Sequence, residues 1–280
     1  MFRKILANKQ LLFGLSLIII FIVIAIFAPL IAPNNPYEVD ISRKFLTSSH
    51  DFPLGTDQLG RCVLSRIIYG ARYSLSIAFP SLFILALLST IVGTISAWFE
   101  GFLDKLILIL CDVFMAFPPI VIVLSLLGIL GQGSINLIIS IILSMWIWFV
   151  KVIRSYVLIE KRKNYIIAAK ISGCNSIEII VKHIFPNIAP LIVVYFSTGI
   201  AAIILMISGY SFLGVGLSEN IPEWGIMLSN SKQYLYSNPT LIIYPGLCIL
   251  LTSAGFNIFG ESLRDVLSPR RIRYGYTTSS

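Results

Sequence analysis

Charged residues vanish from long stretches of this chain. None of Asp, Glu, Lys or Arg occurs in 10–37, 73–99, 113–150, 184–218 or 233–260. A helix needs about 20 apolar residues to cross a hydrocarbon core ~30 Å thick. The run 113–150 is too long for one crossing and is punctuated by Gly128, Gly131 and Gly133. The pattern predicts six transmembrane helices, near 11–32, 74–99, 103–129, 135–153, 186–214 and 240–261. Helices satisfy their own backbone groups in lipid and an open sheet does not. The expected fold class is therefore an all-α integral membrane protein.

Between the spans the pattern changes. Residues 33–72 open with the breaker cluster APNNP and end in GTDQLGRCVLSRIIYGARYSL. From Leu59 to Tyr69 apolar residues alternate with Arg61 and Arg66, the pattern of a helix lying in the membrane interface. The segment 218–239 carries Trp224, Tyr234 and Tyr236, with Tyr244 just beyond it, and such aromatics suit the headgroup level. The third segment is NYIIAAKISGCNSIEIIVKHIFPN, Asn164–Asn187, directly after the charge cluster Glu160–Lys163. Ile166, Ile167 and Ile171 gather on one side of a short helix. Gly173 then breaks the chain, and Asn175 or Ser176 caps a second helix near 177–184. That helix sets Glu178 and Lys182 four apart, opposite Ile177, Ile180 and Ile184. Pro186 falls where the next span is expected to begin. The physical pattern fits either an amphipathic hairpin on lipid headgroups or a docking element for a partner.

Composition agrees: of 280 residues, 57% are hydrophobic and 12% charged, which excludes a water-soluble domain. Charge adds orientation, because Lys and Arg accumulate on the cytoplasmic side. With the N-terminus inside, fifteen of the 21 Lys and Arg fall on the inner side. Both termini are expected in the cytoplasm. The net charge of +8 then follows from topology, and no nucleic-acid partner is called for. The start, MFRKILANKQ before LLFGLSLIIIFIVIAIF, imitates a signal peptide, but its apolar stretch is long and the following APLIAP is a poor cleavage site. A retained first span is expected.

Candidate chemistry is sparse. Cys62, Cys111, Cys174 and Cys248 form no C-x-x-C pair. His50 and His183 have no second ligand at metal spacing, so no fixed metal site is expected. No G-x-x-x-x-G-K-[ST] phosphate loop occurs. Asp112 is the clearest ionisable group inside a predicted span, with Lys151 or Arg154 as possible partners. It is read as part of a gate or as a structural ion pair. Phe117-Pro118-Pro119 is expected to kink the third span. Ser140, Ser144, Asn136, Ser197, Thr198, Ser208 and Ser211 line a mildly polar path or serve as ordinary helix contacts. A secondary transporter would need its own coupling-ion site and usually repeated halves, and neither is visible. A membrane-embedded enzyme would need an acid/base or nucleophile motif, and none occurs.

Five motifs in order along the chain carry a family resemblance. Ala168, Ala169, Gly173 and Pro186 are similar to the signature of ABC-importer permeases, with Ile167 where that family usually has Glu. GTDQLGRCVLSRIIYGARYSL resembles its G-T-D-x-x-G-R-D-x-x-S-R block, with Cys62 where Asp is common. HIFPN, SFLGVGL with PEWGIML, and PGLCILLTSAGFNIFGESLRDVLSP resemble three further blocks, the last with Glu261 for a usual Asp. The chain is identified as a member of the dipeptide/oligopeptide/nickel permeases, in the branch of the second, C-type subunit.

The resemblance implies a type I importer permease, not an enzyme, with coupling helices at about 160–184. It implies a first span and outer segment over 1–71, a permease core over 72–264 and a cytoplasmic tail over 265–280. It implies as partners a second homologous permease, two cytosolic ABC ATPase subunits and an extracytoplasmic solute-binding protein, in a bacterial cytoplasmic membrane. No cofactor is expected on this chain, ATP and Mg²⁺ belonging to the ATPases. Ala168, Ala169, Gly173 and Pro186 would couple to the ATPase. Pro222, Glu223, Trp224 and Gly225 would face the binding protein. Met145–Ser155, with Trp146-Ile147-Trp148, looks closer to the nickel branch, so the expected cargo is nickel or a nickel-type chelate, with dipeptides or oligopeptides as the alternative.

Overall fold

A computed structural model describes residues 8–267. Residues 1–7 and 268–280, which include most of the expected cytoplasmic tail, lie outside the described residues. The described residues hold helices and no strand, with an isolated bridge between Thr56 and Cys62, and largely irregular segments at 32–62 and 213–223. In order the helices are α1 Lys9–Ile26, α2 Ala28–Ile31, α3 Val63–Phe99, α4 Gly101–Met115, α5 Pro119–Leu130 and α6 Ser134–Lys161. Then follow α7 Asn164–Ile171, α8 Ser176–Ile179, α9 Phe185–Phe212, α10 Trp224–Ser231 and α11 Thr240–Leu267. Five helical stretches are long and apolar enough to cross a membrane, and the bent pair α4 and α5 makes a sixth crossing if taken as one span.

The pair α4 and α5 bends by 85°. Its cause is in the sequence: Pro118 and Pro119 remove two backbone donors where the helix would continue. What reads as a kink is a break, with the chain extended at Pro118 before α5 starts.

α3 packs along α6, and α11 lies between α1 and α9. α1 and α11 meet backbone to backbone: a Cβ on Gly14 would sit 2.7 Å from the Phe259 nitrogen and 2.9 Å from the Gly255 oxygen. In lipid such contact between small residues replaces the hydrophobic drive that water supplies. Ser140, Ser144, Ser208 and Ser211 are buried. The Ser140 and Ser144 hydroxyls donate to carbonyls of their own helix, which satisfies them at helix contacts.

α3 is far longer than its apolar core requires. At 37 residues it spans about 55 Å, at 1.5 Å per residue. It takes in Val63–Tyr69 of the stretch expected to lie flat in the interface, with Leu59–Cys62 in the turn before it, and the expected boundary at 71–72 falls inside it. The reason is electrostatic. Arg61 Nε donates to Asp57 Oδ2 at 2.7 Å, and Arg66 lies 3.7 Å from the same oxygen while donating to the Pro36 carbonyl at 3.1 Å. Both guanidinium groups are buried, so this turn stands inside a polar cap instead of on a surface. Residues 33–62 and 218–239 make up the cap, joined by Phe45 edge-on to Tyr234 with ring centroids 4.8 Å apart.

Candidate functional site

At the opposite end of the bundle stands the hairpin of α7 and α8. α7 ends in paired hydrogen bonds, Gly173 N–H to the Lys170 carbonyl and Cys174 N–H to the Ala169 carbonyl, each 3.1 Å. This closure needs a left-handed residue, and Gly173 has φ +85°. A Cβ there would meet nothing within 4 Å, so the glycine is required by the turn and not by crowding within this chain. Asn175 caps α8 by accepting from the Glu178 N–H at 2.8 Å. Glu178 and Lys182 pair at 2.6 Å across one turn.

The second hairpin helix does not end at Pro186. α8 passes through a π-helical turn, Ile180–Ile184, straight into α9, so 176–212 is one element. Proline lacks the N–H of a regular ladder and its ring crowds the carbonyl four residues back. A widened turn just before Pro186 relieves both. Displacement of α8 therefore bears directly on a span.

Burial corrects the expected amphipathic faces. Ile166, Ile179 and Ile184 are buried in the bundle, and Ala169 is nearly so. Ile171 and Ile177 are 83% and 74% exposed, and Ile167, Ala168 and Val181 are also exposed. Asn175, Ser176, Ile177, Glu178, Val181 and Lys182 line an open concavity beside them. The hairpin thus plugs one set of apolar residues into its own chain and holds out a second set, rimmed by an ion pair.

The candidate gate residues separate. Asp112 pairs with Lys151 at 2.6 Å, as one reading expected, yet its side chain is 68% exposed. Arg154 has another partner, receiving none of Asp112: it grips Asp104 through Nε at 2.7 Å and Nη2 at 2.6 Å. Ser96 also donates to Asp104, which ties the ends of α3, α4 and α6. Sequence reasoning missed Asp104 because it sits in the first turn of a predicted span, where a carboxylate needs no explanation.

Pro222, Glu223, Trp224 and Gly225 were expected to face outward, and all four are buried. Trp224 donates its indole N–H to the Ile67 carbonyl at 3.0 Å. Its ring meets Phe21 edge-on, with centroids 5.8 Å apart. Glu223 caps α10 by accepting from the Ile226 N–H at 3.1 Å, and Ser74 donates to it at 3.1 Å. Burial pushes its carboxyl above the ordinary carboxylate range, although these donors oppose the shift. These residues fasten the cap to α3 and α9. Among the described residues no three His, Cys, Asp or Glu side chains gather as a metal-ligand set.

Two family models match the chain. Residues 89–273 match the binding-protein-dependent transport system inner membrane component, and residues 1–48 match the N-terminal transmembrane domain of oligopeptide transport permease C. The chain belongs to the permease family of binding-protein-dependent ABC importers. A dipeptide transport system permease of Alkalihalophilus pseudofirmus is 36% identical over 96% of this chain and 88% of the relative. A metal-staphylopine import system permease of Staphylococcus aureus is 36% identical over 96% and 93%. A nickel transport system permease of Escherichia coli is 31% identical over 92% and 94%. The protein is a transport subunit with the type I importer permease fold, not an enzyme, and its ATPase is a separate subunit.

Proposed function

We propose that the hairpin Asn164–Ile184 is the seat of a cytosolic ABC ATPase, and that this chain forms half of a translocation path completed by a second permease. The observation that carries the reading is the outward display of Ile167, Ile171, Ile177 and Val181 around the Glu178–Lys182 pair. Apolar surface held out of the chain's own core is stabilised when a partner covers it, by about 25 cal/mol per Å². Ala168 and Gly173 keep that surface low, and the π turn before Pro186 links it to α9. The hairpin end is cytoplasmic in this reading, which the excess of Lys and Arg near it supports, and the cap faces the solute-binding protein. Two ATPase subunits hold ATP and Mg²⁺.

The cargo is a small peptide or peptide-like metal chelate. Nickel, favoured by Met145–Ser155, is one of several cargoes named among the relatives, and dipeptide and metal-staphylopine permeases are at least as similar. Both the nickel-chelate and the dipeptide readings therefore stand within one class. Reconstitution with the partner subunits tests the reading. Solute uptake is expected to stop when the ATPase phosphate loop is disabled, and uptake that continues contradicts it. Mass spectrometry of the solute released from the binding protein separates chelate from peptide.

A further inference from the structure

We propose that Trp98 is the joint through which displacement of α7 reaches the long helix α3. This rests on the docking reading above and names the side chain that transmits it. Trp98 is the penultimate residue of α3, and its ring is almost wholly buried. Two ammonium groups lie over that ring: Lys161 Nζ is 5.3 Å and Lys170 Nζ 5.1 Å from its centroid. A cation over an indole face is attracted by the ring quadrupole.

The two lysines come from different elements. Lys161 ends α6, and it also donates to the Trp98 and Ala97 carbonyls at 2.6 and 3.2 Å and to Glu100 at 2.9 Å. It therefore caps the C-terminus of α3, where orphan carbonyls and the helix dipole favour a cation. Lys170 belongs to α7. The other polar ties here, Ser96 and Arg154 to Asp104, join α3, α4 and α6 and do not include α7. Among the described residues, Lys170 on Trp98 is the cation–ring contact that crosses from the hairpin to α3.

From this contact α3 runs the full depth of the bundle. Its far end is gripped at Ile67 by Trp224 and at Ser74 by Glu223. Close-packed elements transmit displacement instead of absorbing it. One helix thus joins a contact on α7 to the floor of the cap.

The experiment uses the whole transporter, reconstituted with its ATPase and binding protein, and compares W98F, W98L and K170Q with the unaltered chain. ATPase retention on purification, ATP hydrolysis and solute uptake per ATP are read together. W98L and K170Q are expected to retain the ATPase and lose about tenfold in uptake per ATP, whereas W98F, which keeps an aromatic face, stays within about threefold. Normal uptake per ATP in W98L, or equal damage in W98F and W98L, overturns the joint. Loss of uptake in K170Q that tracks loss of the ATPase also overturns it, since Lys170 would then be a docking contact. Should W98L fail to fold, K170Q decides, because Lys170 is exposed. An unaltered chain that never retains an ATPase overturns the docking reading itself.

Discussion

At the cap end Asp57, Arg61, Arg66 and Glu223 lie inside the protein, whereas at the hairpin end Ile171 and Ile177 lie outside it. The two ends invert the usual sorting of polar and apolar residues, each in its own direction. The cap pairs most of its buried charge within one chain. Asp57 accepts from Arg61 and lies 3.7 Å from Arg66, and Glu223 serves a helix cap and a serine, while one Arg66 nitrogen has no hydrogen-bond partner among the described residues. The hairpin buries Ile166, Ile179 and Ile184 but leaves Ile171 and Ile177 without cover. A region that covers its own charges is built for rigidity, and a region that leaves apolar surface uncovered is built for a partner. The residues that carry function are then read from which sorting fails outward, not from which residues are charged.

Perturbing each end sharpens this contrast. Asp57→Ala strands two buried guanidinium groups, and removing one member of a buried ion set costs about 3–5 kcal/mol. Thermal unfolding of the purified protein is expected to fall accordingly, and an unchanged midpoint would show that the cap does not depend on its charges. Next in size is Gly225→Ala. Its Cβ would lie 2.2 Å from the Ser208 carbonyl oxygen, so α10 must lift from α9 at a cost of about 1–3 kcal/mol.

At the hairpin the expected cost is smaller and the functional loss larger than the cost explains. Gly173→Asp places a side chain at φ +85° for about 1 kcal/mol or a little more. The chain still inserts in the membrane, but uptake is abolished because the new carboxylate stands in the open space at the hairpin tip. Fractionation and transport assays of one preparation check both halves of this statement.

The smallest effect is a slope. Glu223 is buried with its carboxyl pushed above the ordinary range. Its contribution to stability is whole at pH below the ordinary carboxylate value, where the group is neutral folded and unfolded alike. That contribution is lost as pH rises through the raised folded value, because the unfolded chain ionises first. Glu223→Gln removes this part of the pH dependence while keeping a cap acceptor, which unfolding midpoints across acidic to neutral pH would record.

The spans were legible because lipid imposes a one-dimensional rule: a run of about 20 residues nearly free of charge crosses. The hairpin was legible for a similar reason, since Gly173 and Asn175 are local turn and cap chemistry. What sequence hid was long-range pairing. Arg61 and Arg66 alternate with apolar residues as an interfacial helix would, and only the fold brings Asp57 and the Pro36 carbonyl to them. Arg154 was read with Asp112, and only the fold brings Asp104 to it. Trp224 and its neighbours read as surface aromatics because an indole suits both a headgroup layer and a buried donor site. Pro186 read as a helix start because a π turn leaves no mark in composition.

Position 177 gives the most direct measurement. A photoreactive group carried there in the assembled transporter, with its lipids present, reports what covers the exposed face of the hairpin. The account predicts an ATP-sensitive cross-link to the ATPase subunit. Cross-linking to lipid alone, or labelling of the same position by a membrane-impermeant reagent added outside the cell, would contradict it.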